Sequence, residues 1–329
     1  MTGHPAPIPG VVDAALRAAI RAPSPHNTQP WRFRTGPDRI ELWLDESRVL
    51  GVCDPDAREA TLACGAALLN LRLALAAHER AHVVDLVPDH ARPALLATVR
   101  LGGHRTPSPH ELRLASAIGR RHTHRRPFLD RPVPGRVRDA LVAAAAEEGA
   151  RLVLVDSAQL DALTALLRRA DLAQAEDPAF QAELRAWTPG DDRPDGVPRS
   201  AGGPRALDGG LLALRDYGGP RSGTEREFER EPLVAVLTTA GDTRLDRVRA
   251  GQAMQRVLLT ATADGLNASF LSQPVEVGSA RARLRDRLGG RDHPQTVLRL
   301  GYGHPGAPTP RRAVASVTRV ERGERSDVR

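Results

Sequence analysis

A chain of 329 residues, 41% of them hydrophobic, is long enough for one large domain or two similar well-buried ones, and with no run of eighteen apolar residues no membrane-spanning helix is expected. The net charge is +7, yet all 47 basic residues are arginine, spread along the chain among 40 acids, and aromatic residues make up only 3%. A single-strand nucleic-acid surface interleaves basic residues with stacking aromatics, so nucleic acid is not an expected partner. Residues 1–10 hold three prolines and neither a basic nor an apolar stretch, so no signal peptide is expected there.

In chain order, residues 11–22 carry apolar side chains at helical spacing, and Pro23 and Pro25 end that helix. Strands are expected at 31–34 and 40–45. Asp54-Pro55 looks like an N-cap with proline behind it, opening a long helix to about Arg80. Cys53 and Cys64 have neither metal-ligand nor disulfide-framework spacing, which fits a reducing cytoplasm. Strands at 82–87 and 95–101 precede Ser108-Pro-His-Glu111, which has capping-box spacing and starts a helix to about Ile118. A basic loop follows at 119–131, then a helix near 135–148, a strand at 151–155 and a helix at 157–175. Residues 176–231 are rich in Pro, Gly, Asp and Arg with little periodicity, the composition of a lid or a long excursion. The chain closes with a strand at 233–239, a helix at 243–264, a strand at 266–272, a helix at 276–288 and a strand at 296–302.

Residues 65–77 (GAALLNLRLALAA) match 251–263 (GQAMQRVLLTATA) without a gap, Gly65 falling on Gly251. Both lie in long helices that lead into strands, which suggests two related α+β halves packed as an internal pseudo-dimer. His122 and His124 flank Thr123 but have no acid or cysteine nearby to complete a metal site, and none is expected.

The sharpest local signal is Ala22-Pro-Ser-Pro-His-Asn-Thr-Gln-Pro-Trp31. Three prolines stiffen a polar loop, and Ser24, His26, Asn27, Thr28 and Gln29 offer both donors and acceptors. By composition alone it is either a self-satisfied tight connection or a preorganised ligand loop. The stretch APSPHNTQPWRF resembles the "APS…N.QPW.F" signature of nitroreductases. Ile118-Gly-Arg-Arg-His-Thr-His-Arg-Arg-Pro-Phe128, followed by Val133-Pro134, is similar to the family's "RRS.R.F … VP" opening. Gly265-Leu-Asn-Ala-Ser-Phe-Leu-Ser-Gln273 and Gly301-Tyr-Gly … Pro310-Arg-Arg312 resemble its flavin-flanking and terminal segments.

The resemblance implies a nitroreductase-like α+β fold with FMN as cofactor and NAD(P)H as possible reductant. Its implied flavin contacts are Pro23, Ser24, His26, Asn27, Gln29, Leu271, Ser272 and Gln273. Arg121, Arg311 and Arg312 would serve the phosphate, Thr123 a hydroxyl role, and Arg125, in place of the usual lysine, would stabilise charge on the ring. No catalytic acid, base or nucleophile is assigned. The PSPHN loop precedes the arginine signature, and the first half lacks an opening motif of its own. That order looks like the Acg-like fused branch: residues 1–107 a first half giving its loop to one composite flavin site, 108–329 a second half building most of it, with 176–231 a lid-like insertion. The implied function is FMN-dependent reduction of a small electrophile, a nitro compound or quinone. The alternatives are a lid-sealed flavin-binding or storage protein with little turnover, or a specialised flavin chemistry such as ring modification or flavin breakdown. The expected assembly is a monomer with an internal pseudo-dimer, or a homodimer, with a small-molecule substrate and no membrane.

Overall fold

The computed structural model describes residues 9–188, 190, 193–201, 215, 217, 232–304, 306 and 308–321. The first part of the chain forms α1 (Pro9–Ala19), β1 (Trp31–Thr35), β2 (Arg39–Leu44), α2 (Arg58–Ala77), β3 (Arg80–Leu86), β4 (Leu95–His104) and α3 (Pro109–Ala117). Then come α4 (Gly135–Ala146), β5 (Arg151–Leu154), α5 (Ser157–Glu176), α6 (Pro178–Ala186) and β6 (Leu233–Thr239). The chain continues through α7 (Arg244–Ala263), β7 (Asn267–Phe270), α8 (Gln273–Glu276), α9 (Gly278–Arg287), β8 (His293–Gly301), α10 (Val314–Val317) and β9 (Thr318–Val320).

The strands form two sheets, one in the order β3-β4-β2-β1-β9 and one in the order β5-β6-β8-β7. The first is antiparallel apart from β9, which comes from the far end of the chain and pairs parallel with β1. Strand β1 alternates as a half-covered strand should: Trp31 and Phe33 are fully buried while Arg32 and Arg34 are exposed. In the second sheet β6 is apolar on both faces. Ala235 and Leu237 pack in the central core with Val257 and Leu258 of α7, and Val234 and Val236 pack with Leu163 and Leu167 of α5.

Helix α2 covers the first sheet, α7 covers the second, and the two helices pack directly on each other. Glycines permit this approach. A Cβ on Gly65 would overlap the Val248 carbonyl oxygen, and one on Gly251 would overlap that of Leu62. The same seam carries buried polar pairs: Gln255 Nε2 donates to Asn70 Oδ1 (2.8 Å), and Arg72 Nη1 donates to Gln252 Oε1 (2.6 Å). Helix α2 is long and apolar enough to cross a membrane, but 89% of its most apolar window is buried here, as in the core helix of a globular fold.

The two expected caps divide. Ser108 and Glu111 form the capping box of α3 reciprocally, at 3.2 and 2.8 Å. Asp54 is not the N-cap of α2. That position is Ala57, in left-handed backbone (φ 51°), and the Asp54 carboxylate instead reaches forward to accept from the Glu59 and Ala60 amides. The helix expected at 276–288 is α9, separated from the short α8 by the extended Val277. Four elements were not expected: α8, α10, helix α6, which opens the 176–231 segment with its first turn held by Asp177, and β9, which lies beyond the last expected strand.

Candidate functional site

The loop between α1 and β1 is wound tightly enough to force non-glycine residues into left-handed backbone: His26 (φ 45°), Asn27 (φ 57°) and Gln29 (φ 54°). Each such residue costs about 1–3 kcal/mol and persists only where its surroundings over-determine it. Here they do. The Gln29 amide donates to Ser24 Oγ (2.9 Å), Asn27 Nδ2 donates to the Gly196 carbonyl (2.9 Å), and Gln29 Nε2 donates to that of Pro194 (2.8 Å). On the other side the Arg312 amide donates to Gln29 Oε1 (2.8 Å) and Arg311 Nη1 donates to Asn27 Oδ1 (3.0 Å). Asn27 and Gln29 therefore tie three chain segments together and do not line the cavity below.

Arg121 and Arg311 converge on the carbonyls at the end of the first helix. Arg121 Nη2 donates to Arg21 (3.2 Å) and Arg311 Nη2 to Ala22 (3.0 Å). Among the described residues, Arg121 Nε and Nη1 and Arg311 Nε are buried without a hydrogen-bond partner. Burial, followed by repulsion from Arg21 and Arg125, holds Arg121 down to about 10. Arg311 is held to about 9 by burial and by Arg121, Arg21 and Arg125. Buried cations that repel one another and keep unfilled donors form a receptor for an anion with several acceptor oxygens.

Pro23 and Ser24, which follow those carbonyls in the chain, line a cavity between the two central helices and the second sheet. Thr123 and Arg125 line it as well, on a segment carried beside β7 by a Thr123–Ala268 bridge and by the His124 amide donating to the Ala268 carbonyl (2.8 Å). The wall continues through Phe270, Ser272 and Gln273, with Leu62, Ala63 and Met254 from the two central helices. Arg125 sits under the Tyr217 ring, 5.1 Å from its centroid, and its pKa is lowered by burial.

The cavity lining also holds two carboxyl groups. Glu59 of α2 and Glu276 of α8 both line it, with His26 and Arg215. Arg215 Nη1 donates to Glu276 Oε1 (3.1 Å), its Nη2 pairs with Glu276 Oε2, and Nη2 also donates to Gln174 Oε1 (2.9 Å). Burial would raise Glu276, but Arg215 beside it brings it to about 2. Burial and Arg215 together push His26 down to about 3, so the ring is neutral and its Nε2 faces Arg215 Nη1 at 3.0 Å. Glu59 is pushed the other way, to about 8, by burial and by Glu276, against the opposing charge of Arg58. His26, Cys53 and Glu276 bring three possible metal-donor atoms within 4.8 Å of one another. Burial raises the Cys53 thiol well above its usual range, and the Arg215 guanidinium already supplies the positive charge that His26 and Glu276 face.

Of the residues singled out in the sequence, Pro23, Ser24, His26, Thr123, Arg125, Ser272 and Gln273 meet at one cavity. Arg121 and Arg311 form the adjoining cationic cluster, Arg312 braces the loop through its backbone, and Leu271 is buried in the core behind the wall. Glu59, Glu276, Arg215 and Tyr217 were not foreseen. A lone acid on the otherwise apolar run of α2 was the available signal for Glu59. Arg215 lies where the sequence has no periodicity and gives none. Of the 176–231 segment, Arg215 and Tyr217 reach the cavity, and the Asp195–Pro198 turn is anchored by an Arg48–Asp195 ion pair. Residues 189, 191–192, 202–214, 216 and 218–231 lie outside the described residues.

The nitroreductase family profile matches residues 118–303, the stretch that carries the arginine signature and the whole second sheet. The chain belongs to the nitroreductase family. Two relatives from Mycobacterium tuberculosis, both bearing the name "Putative NAD(P)H nitroreductase", are similar over nearly their full length. Rv3131 is 35% identical over 93% of this chain and 90% of its own, and acg is 31% identical over 94% and 96%. Among solved structures, a nitroreductase with bound FMN from Desulfitobacterium hafniense is 16% identical, covers 64% of this chain and 98% of its own, and has a TM-score of 0.41. This nitroreductase-family chain therefore has relatives that share its length, beyond the part the profile matches.

Proposed function

We propose that the protein is an FMN-dependent oxidoreductase that takes hydride from NAD(P)H and reduces a small electrophile such as a nitro compound or quinone. The observation that carries this reading is the pairing of Arg121, whose Nε and Nη1 are buried without a partner among the described residues, with Arg311, whose Nε is likewise unpaired, beside a cavity walled by Thr123, Arg125, Ser272 and Gln273. FMN fits that arrangement: Arg121 and Arg311 would hold the phosphate, and Arg125 and the Ser272–Gln273 wall the ring. When bound, the flavin supplies the hydride chemistry, which no side chain here provides. The chain's own contribution is electrostatic. Arg125 stabilises negative charge developing on the ring, and the buried walls exclude water, which strengthens that interaction. The test is Arg121→Gln and Arg311→Gln. Each removes one charge-assisted contact and is expected to weaken FMN binding about 10- to 100-fold in a fluorescence-quenching titration. Unchanged affinity in both would remove the cluster from the site.

The halves, 1–107 and 108–329, form in this reading an internal pseudo-dimer with one composite site, at work in the cytoplasm. The Gly65–Gly251 contact supports it, because the two segments that match in sequence are the two that pack together. A second reading, a sealed flavin with little turnover, is favoured by one observation: Arg215 and Tyr217 of the inserted segment already lie against the cavity.

A further inference from the structure

The Arg215–Glu276 ion pair in the cavity wall has the construction of a binding site. Glu276 presents both carboxylate oxygens to one guanidinium, and Gln174 Oε1 and His26 Nε2 present two more acceptors. The acceptors are fixed independently of that cation. Gln174 Nε2 donates to Glu276 Oε2 (2.6 Å), which turns its amide oxygen toward the guanidinium, and Gln181 Nε2 holds the Gln174 carbonyl (3.0 Å). His26 is set by strained backbone, and its Nδ1 is buried without a partner among the described residues. The Phe180 ring lies 5.2 Å from the Arg215 guanidinium carbon, within cation–π range. A carboxylate, two neutral acceptors and an aromatic face recognise a planar cation, and the site is contiguous with the cavity because Glu276, His26 and Arg215 all line it.

We propose that this part of the cavity wall is a subsite for a small guanidinium or primary ammonium group, and that Arg215 of the same chain fills it as an internal ligand. The proposal extends the oxidoreductase reading by giving the substrate of that cavity a cationic end. A substrate carrying such a group displaces Arg215 and places its remainder toward Arg125. A neutral or anionic substrate leaves Arg215 in place.

The test uses the full chain as wild type, Arg215→Ala, and Arg215→Ala combined with Glu276→Gln. Methylguanidinium and agmatine are the probes, and urea, of similar shape but uncharged, is the control. Arg215→Ala is expected to lower the thermal midpoint, and methylguanidinium to restore it in a dose-dependent way that urea does not match. Calorimetric affinity for agmatine is expected to be about tenfold or more tighter in Arg215→Ala than in wild type, where Arg215 competes, and to be lost when Glu276→Gln is added. Equal binding to all three proteins, or none to any, would overturn the subsite. Should Arg215→Ala not fold, Arg215→Gln removes the charge while keeping a hydrogen-bonding side chain, and the same titration decides. The visible spectrum of each sample separates the two readings. Flavin-loaded protein that ignores the cation overturns the subsite alone, and flavin-free protein that binds agmatine leaves the subsite standing without the flavin.

Discussion

His26 shows how one residue joins strain, charge and site. Its ring is neutral at any physiological pH because burial and Arg215 hold it near 3. In the unfolded chain a histidine protonates near 6.5, so between 6.5 and 3 the unfolded state binds a proton that the folded state refuses, and stability falls as pH falls. From pH 7 to pH 5 this group alone withdraws about 2 kcal/mol. Glu59, held near 8, acts in the opposite sense over that interval, because its folded form keeps a proton the unfolded form releases. The total slope therefore mixes these two with other shifted groups, His124 (held near 4) among them, and the difference between wild type and His26→Gln isolates the histidine. Urea unfolding at pH 7 and pH 5 is expected to show His26→Gln losing about 2 kcal/mol less than wild type on acidification, whatever its absolute stability. Equal losses would mean that His26 protonates in the folded protein. In the proposed flavin site, Arg125 would act through charge on the ligand side. Arg125→Ala is expected to slow flavin reduction in stopped-flow measurements about 10- to 100-fold, the effect of removing one preorganised electrostatic contact. An unchanged rate would take Arg125 out of the site.

At the scale of elements, the contact that organises the fold is the crossing of α2 and α7. Leucine and alanine periodicity marks both helices as core, and the ungapped match between them is visible in the sequence, but that Gly65 faces Gly251 is a matter of packing. Each glycine lies against backbone of the other helix, which cannot rotate away as a side chain can. Gly65→Ala or Gly251→Ala is therefore expected to cost about 1–3 kcal/mol in urea unfolding. Alanine at either position without loss would mean that the helices sit farther apart. Elements dominated by local signals were legible: the capping box at Ser108, the alternation in β2, the apolar run of β6. Those decided by distant partners were not. Helix α6 has a good cap in Asp177, but its apolar side chains Phe180 and Leu184 pack onto Leu50 and Cys53, far away in sequence. Strand β9 has three residues and exists only because β1 offers an unpaired edge.

At the scale of the whole molecule, the polar loop and the arginine signature carried half the site, since both are compact in sequence and both meet at the cavity. The other half came from three separate places, Glu59, Arg215 and Glu276, which nothing in their local sequence connects. Composition also misleads in one respect. A net charge of +7 suggests an open basic face, yet Arg58, Arg121 and Arg299 are buried. The fold joins two sheets through two packed helices and sets a cavity beside the Arg121–Arg311 cluster. That cluster is the basis for proposing a phosphate and flavin site there. The most direct test is the visible absorbance spectrum of the purified protein, before and after anaerobic addition of NADPH, with FMN supplied if none co-purifies. The account predicts flavin bands that bleach on reduction. A protein that shows no flavin bands even after FMN is added would contradict it.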